Sequence, residues 1–343
     1  MFVNHFRFLQ FIKKGLYQLF LFNFISSFSA KSNLFILLII KLLIINNVLI
    51  RKIDKLLCYN LFMKSIKIKC PAKINLTLEI LNKRPDGFHN IKSIMQMINL
   101  YDYLTINVKE QKGRKIKLTG NSCEIPYDSK NLVYKAIDLY LKKSNTKNIL
   151  VEIYIEKNIP VAAGLAGGST DAAGTLYGLN CLLNKFNFEE LGEMCAELGS
   201  DLNVCLNGGC NLATSRGEIV EKINGVNCSV TLIKPKELGI SAGEAYKKYS
   251  QIADKKNLNM TDKMLNAISK NENLQPFLYN DLETAVFNDY KELQEIKKAL
   301  PNSIMSGSGS TYFVLENISP NLNEDFLVIN GLSFINTGVE RID

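Results

Sequence analysis

The chain has 343 residues, of which 47% are hydrophobic and 22% charged, with no Trp and a formal net charge of +8. That length suffices for one large or two ordinary domains, and the composition excludes collagen-like, disulfide-knot and wholly disordered chains. The positive charge is concentrated at one end: residues 1–62 hold six Lys, two Arg and one Asp, whereas residues 63–343 carry 33 basic and 32 acidic residues.

Residues 1–62 contain 13 Leu, 10 Phe and 9 Ile, no Pro and a single Gly, Gly15. A compact domain almost always carries Gly and Pro at its turns, so this segment is not expected to be one. Arg7, Lys13 and Lys14 precede an uncharged run from Gly15 to Ala30, the pattern of a signal peptide or membrane anchor. Lys41 interrupts a second apolar run, Leu34–Ile50, where a charge is costly near a bilayer centre. An organellar targeting segment is a further reading, although Arg and Ser are sparse. The expectation is that this leader lies outside the working protein, which begins at Met63, and that membrane contact arises only if residues 1–62 belong to it.

From Met63 onward, strands and helices alternate. Ile74, Leu76, Leu78 and Ile80 alternate with Asn75, Thr77 and Glu79, the two-residue period of a half-buried strand that puts Lys73, Asn75 and Thr77 together on its polar face. Residues 93–100, 104–108 and 149–155 read as further strands, and 131–141 as a helix. After a glycine-rich segment, Ala172, Leu176, Leu179 and Leu183 form one helical stripe, predicting a helix over 171–183. Phe188, Leu191, Met194, Cys195 and Leu198 form a second stripe, closed by Gly199. Residues 229–233 and 311–315 read as strands, and 243–249 and 292–300 as helices. The pattern is α+β, with a domain boundary expected near 222–228.

Cys58 lies in the leader and seven further cysteines follow, with no CxxC pair. An odd count without metal spacing points to free buried thiols in a reducing cytoplasm rather than a disulfide framework or zinc site. His89 is the only histidine after residue 62, which leaves a Ser-His-Asp hydrolase or a multi-histidine metal centre little to work with.

Three motifs carry chemistry. The first is Pro160, Val161, Ala162, Ala163, Gly164, Leu165, Ala166, Gly167, Gly168, Ser169 and Thr170, opening the predicted helix. Glycines admit close backbone approach, and the orphan amides of a helix start favour phosphate. The spacing is neither GxxxxGK[ST] nor GxGxxG, so neither an ordinary P-loop nor a nicotinamide site is indicated. A purely steric strand–helix turn would also use these residues. The second runs from Pro71-Ala-Lys-Ile-Asn-Leu to Arg84-Pro-Asp-Gly-Phe-His89. Lys73 is a fixed cation or a solvated strand lysine. The Pro85-Asp86-Gly87 turn would present Phe88 and His89, a ring face and an imidazole suited to a planar heterocycle; a core phenylalanine and a loop-tying histidine are the plainer readings. The third is Met305-Ser-Gly-Ser-Gly-Ser-Thr311, preceded in the chain by Leu198-Gly-Ser-Asp-Leu-Asn203, in which Asp201 is a base or a helix N-cap.

Taken in order, PAKINL, RPDGFH, PVAAGLAGGSTDAA, LGSD and MSGSGST resemble the GHMP kinase superfamily. Within it, they resemble the kinases of 4-diphosphocytidyl-2-C-methyl-D-erythritol in non-mevalonate isoprenoid synthesis, over residues 64 to about 340. The resemblance implies an N-terminal β–α domain (63–225) with the phosphate loop and a C-terminal ferredoxin-like α/β domain (226–343). It also implies a cytoplasmic enzyme, a monomer or homodimer, using ATP and Mg²⁺ on a cytidylyl sugar alcohol, with no nucleic-acid partner. In this reading Lys73 and Asp201 are catalytic. Pro160–Thr170 with Gly307, Ser308 and Gly309 hold ATP, while Asn75, Phe88, His89 and Tyr246 bind the substrate, Tyr246 opposite Phe88. Metal ligands are not implied. Phe88 stands where Tyr is commoner, Ala166 interrupts a glycine run, Ser310 replaces a frequent Pro, and Asn203, in place of another, is expected to loosen the turn after Asp201. Competing readings are a homoserine- or mevalonate-type kinase, which should lack the Phe88–His89 pair, and a non-catalytic nucleotide- or RNA-binding relative, which should have lost Lys73 or Asp201 or gained a basic patch.

Overall fold

The computed structural model describes residues 63–252 and 258–343. The expectations for the leader therefore fall outside the described residues. Residues 63–343 pack as one compact unit built on two sheets.

The first sheet is organised by a long hairpin, β1 (Lys64–Lys83) and β2 (His89–Lys109). The predicted strands at 93–100 and 104–108 are one strand, bent by register shifts rather than broken. After β3 (Arg114–Gly120) come α1 (Leu132–Lys143), capped by the Asn131 side chain on the Val133 amide, and β4 (Ile149–Glu156). The strand order is β12 (Glu340–Arg341)-β1-β2-β4-β3, with β3 and β4 parallel. Next are α2 (Gly167–Leu183), α3 (Phe188–Leu198), α4 (Leu202–Asn207), β5 (Cys210–Thr214) on β2, and β6 (Ile219–Ile223) on β5.

The second sheet holds β7 (Ser229–Pro235). Four helices follow, α5 (Ala242–Tyr249), α6 (Met260–Ser269), α7 (Asp281–Val286) and α8 (Lys291–Ala299), with the two-residue strand β8 (Tyr279–Asn280) before α7 joining β1 of the first sheet. Then come β9 (Ile304–Met305), β10 (Tyr312–Val314) and β11 (Phe326–Ser333), and finally β12 (Glu340–Arg341), which returns to β1. The order β11-β7-β10-β9, antiparallel throughout, is the fourth-first-third-second arrangement of a ferredoxin-like sheet. Its second crossover, residues 315–325, contains no helix.

Two expectations change here. The β1 strand is not half-buried: Cys70–Ile80 are buried on both faces, with α2, α4, α6 and α7 all packed against the strand. Alternation reports the chemistry of two faces, and a polar face can still be covered if its groups find partners. The α2 helix starts at Gly167 rather than Asp171, so the end of the glycine-rich motif is the helix's first turn. Low on α2, a Cβ at Gly174 would overlap the Cys70 sulfur and lie 3.3 Å from the Leu104 side chain, so glycine lets the helix sit close on the hairpin. The predicted stripes are core, with Ala172, Leu176 and Leu179, and Leu191, Met194 and Cys195, all buried. Phe188 is the exception and lies exposed at the start of α3. Among the described residues all seven cysteines are free, yet Cys123 and Cys181 are exposed rather than buried. No described helix is long and apolar enough to cross a membrane.

Candidate active site

Lys73 sits mid-strand on β1 with its side chain 3% exposed. Such burial requires its three donors to be used, and they are: its ammonium lies 2.7 Å from Asn75 Oδ1, 3.2 Å from the Gly164 carbonyl and 3.4 Å from Asp201 Oδ2. Asn75 is itself held, donating through Nδ2 to Ser93 Oγ at 2.9 Å, and Ser93 donates to the Thr77 carbonyl. The strand lysine is thus a fixed cation joining the carboxylate to the glycine-rich loop. Asp201 is the N-cap residue of α4 by position, but its side chain makes no capping hydrogen bond. It turns to Lys73 instead and stays 29% exposed, which leaves it open to a ligand. Asn203, just after it, donates through Nδ2 to the Glu218 carbonyl at 2.8 Å and ties α4 to the segment before β6.

The glycine-rich loop bends through left-handed residues at Ala162, Gly164 and Ala166, with φ of 51°, 74° and 58°. At Ala166, where a glycine run is interrupted, the alanine holds a glycine-type conformation. The three glycines have different surroundings. A Cβ at Gly164 would overlap the Ser306 carbonyl and lie 3.0 Å from the Gly309 amide, and one at Gly167 would lie 2.6 Å from Lys157 Nζ. At Gly168 nothing stands within 4 Å, and this is the helix's first turn, where amides lack intrahelical partners. Such an open, amide-lined helix start fits the phosphates of a nucleotide, on which no bulky side chain intrudes. Thr170 is fully buried, so Ser169 is the hydroxyl of the pair that lines the cleft. The Met305–Thr311 loop packs against the same segment. Ser306 Oγ donates to the Gly164 carbonyl at 3.1 Å, the Thr311 amide lies 3.4 Å from the Ala163 carbonyl, and Asn280 Nδ2 holds the carbonyls of Met305 and Gly307.

Two cavities flank this loop and share Gly164 and Ala166. One, of about 330 Å³, lies between the loop and Ile125–Leu132, with Lys157 and Asp171 on its wall. The other, of about 590 Å³, is lined by Lys73, Asn75, Asp201, Ser169, Gly307 and Ser308, and also by Phe88, His89 and Tyr246. Every residue placed in a catalytic or substrate role therefore meets in one cleft. The phosphate loop is the wall between it and its neighbour.

At the far end of the larger cleft Phe88 is 52% exposed, as the turn predicts. His89 is not at the loop tip but buried at the start of β2, with Nε2 3.2 Å from Ser250 Oγ. Its ring stacks on Tyr246, centroids 5.4 Å apart and planes 17° from parallel. Tyr246 is thus a support for the imidazole, and burial raises its phenol above the usual value. The turn is fastened by Arg84, which bonds Asp86, Asn90 and Ser215. Its hydrogen-bonded partner Asp86 is held below the usual carboxylate range chiefly by that contact. The Arg216 guanidinium lies 5.4 Å from the Phe88 ring centroid. Nothing in the sequence marks these arginines as anchors of the turn, because Arg84 reaches Ser215 and Arg216 reaches the Phe88 ring only in the fold. The same is true of Lys157, which pairs with both Asp102 and Asp171 in the interior. Burial alone would depress Lys157, but Asp171 and Asp102 outweigh it and raise it, while burial raises the Asp171 carboxyl to about 8.

Residues 131–215 match the family described as GHMP kinases N terminal domain. Curated 4-diphosphocytidyl-2-C-methyl-D-erythritol kinases from Prochlorococcus marinus (strain MIT 9301) and Bacillus cereus (strain B4264) are each 40% identical to the chain. The alignments cover 269 and 259 residues, 73% and 72% of this chain and 85% and 87% of those proteins. The chain belongs to the 4-diphosphocytidyl-2-C-methyl-D-erythritol kinase family. A crystal structure of 4-(cytidine 5'-diphospho)-2C-methyl-D-erythritol kinase superposes with a TM-score of 0.59 at 28% identity, covering 73% of this chain and 90% of that one. Homoserine kinase from Cytophaga hutchinsonii gives 0.64 at 19% identity, covering 81% and 97%, a likeness of fold alone. The chain therefore has the GHMP kinase fold.

Proposed function

We propose that the chain transfers the γ-phosphoryl group of ATP to the 2-hydroxyl of 4-diphosphocytidyl-2-C-methyl-D-erythritol, giving the 2-phosphate and ADP in the methylerythritol phosphate route to isopentenyl diphosphate. The observation that carries this reading is the Lys73–Asp201 pair, 3.4 Å apart, on the acceptor side of an amide-lined phosphate loop with a nucleotide-sized cavity behind it. Phosphoryl transfer asks mainly for alignment and charge compensation. Asp201 accepts the proton of the 2-hydroxyl as that oxygen bonds to phosphorus, and the bridging oxygen leaves with ADP. Lys73 orients Asp201 and places a positive charge beside the transferring group. Its bond to the Gly164 carbonyl sets the distance between base and loop. Phe88 offers a ring face to the cytosine, His89 a hydrogen-bonding edge, and Asn75 an amide to the acceptor.

Among the described residues no three metal-ligating side chains cluster. Kinases hold magnesium largely through the phosphates with one or two protein oxygens, and Ser169 and Asp201, both on the cleft wall, would hold it here. The ion supplies charge neutralisation on the triphosphate. The unpaired cysteines suit a reducing compartment, the cytoplasm. The test is ADP release by the full chain with the cytidylyl substrate, homoserine and mevalonate in parallel. Turnover with the first alone is expected. Turnover with either of the others and none with the first overturns the reading.

A further inference from the structure

The charged groups lining the larger cleft are markedly unbalanced. Lys73, Lys83, Arg216 and Lys247 face it, against one carboxylate, Asp201. Lys73 is committed to Asp201, and three cations remain in a stretch of chain (63–343) whose basic and acidic residues otherwise nearly cancel. Among the described residues, Lys83 and Lys247 are exposed and form no ion pair. Other lysines of the same elements do: Lys69 pairs with Glu340 and Lys248 with Glu244 and Asp289. Arg216 is partly engaged, 3.6 Å from Glu218, with the Phe88 ring against its guanidinium. The three come from separate elements, the end of β1, the β5–β6 turn and α5, so no single amphipathic face explains their convergence. A cationic rim next to an aromatic subsite, two of its three charges without an ion-pair partner, is suited to an anion attached to a planar ring.

We propose that Lys83, Arg216 and Lys247 bind the diphosphate of the acceptor substrate, and so make the enzyme select a nucleoside-diphosphate-linked alcohol over a free one. This rests on the reading given under Proposed function, because the diphosphate bridges the cytosine subsite and the reacting alcohol. Arg216 has two tasks, since it also supports Phe88, whereas Lys83 and Lys247 act through charge alone.

The test compares CDP and cytidine as ligands, by calorimetry on the full chain, in wild type, Lys83→Gln, Lys247→Gln and the double variant. Wild type should prefer CDP. Each single variant should lower that preference about threefold and the double variant about tenfold, with cytidine affinity unchanged. The KM for the cytidylyl substrate should rise in parallel and that for ATP should not. Added salt should erode the preference in wild type more than in the double variant. Arg216→Gln should weaken cytidine as well as CDP, which separates its ring-supporting task from charge. A double variant that keeps the wild-type CDP preference refutes the proposal even where turnover is normal. Wild type without turnover on the cytidylyl substrate refutes the functional reading instead.

Discussion

Gly164 and Gly168 lie one helical turn apart in sequence, yet alanine at the two positions should move stability in opposite directions. At Gly168 an added methyl meets nothing within 4 Å, and the residue sits in the first turn of α2. Alanine is a better helix former than glycine and restricts the unfolded chain, so Gly168→Ala should stabilise the ligand-free protein by about 0.5 kcal/mol. That corresponds to a melting increase on the order of 1 °C. The same methyl occupies the space through which a phosphate would reach the helix amides. Losing one charge-assisted hydrogen bond costs about 1.5–3 kcal/mol, a rise in the KM for ATP of roughly ten- to a hundredfold. At Gly164 the φ of 74° is left-handed, and the methyl overlaps the Ser306 carbonyl. A left-handed alanine costs about 1–2 kcal/mol and overpacking about 1–3 more, so Gly164→Ala should destabilise by about 2–5 kcal/mol. The assay is thermal melting without ligand, paired with ATP titration at saturating acceptor. Unchanged ATP affinity in Gly168→Ala, or equal destabilisation by both substitutions, would refute the assignment of the loop as the phosphate cradle.

Lys73→Met should lower turnover by at least about a hundredfold through loss of the cation beside the transferred group. It should also destabilise by about 2–3 kcal/mol, since Asn75 Oδ1 and the Gly164 carbonyl lose their donor. Denaturant unfolding and steady-state kinetics read the two effects separately. The interior Asp171 predicts a pH signature. Its folded value near 8 lies above the ordinary 3.8, so the folded state holds a proton that the unfolded state has released. Its contribution is therefore fully present below about 4 and is lost as pH rises toward 8. Melting temperatures from pH 4 to 8 should fall less steeply in Asp171→Asn than in wild type; parallel curves would show that Asp171 is ionised in the folded protein.

Much of this site was legible in the sequence because its chemistry is carried by contiguous motifs. The residues of PAKINL, RPDGFH, the glycine-rich loop, LGSD and MSGSGST meet in a single cleft, and a loop that must admit phosphate advertises itself by its glycines. What the sequence hid depends on partners distant in the chain. Nothing local distinguishes Lys73 from a solvated strand lysine until Asp201 and the Gly164 carbonyl are seen to close over it. Lys157 finds Asp102 55 positions away, and Arg84 finds Ser215 131 positions away. Strands as short as β8 and β12 carry no periodicity, so their return to the first sheet could not be read. Tyr246 is expected opposite Phe88, whereas in the fold it stacks on His89, a contact set by how α5 packs against the start of β2.

Asp201 is the residue on which the proposed transfer depends most directly. In Asp201→Asn the side chain keeps its size and its place beside Lys73 but cannot accept the hydroxyl proton. Turnover on the cytidylyl substrate should fall by about a thousandfold or more, while ATP affinity, measured by direct titration, should stay within about threefold of wild type, because the phosphate loop is untouched. An Asp201→Asn protein that turns over at the wild-type rate would contradict the central claim that this carboxylate is the base.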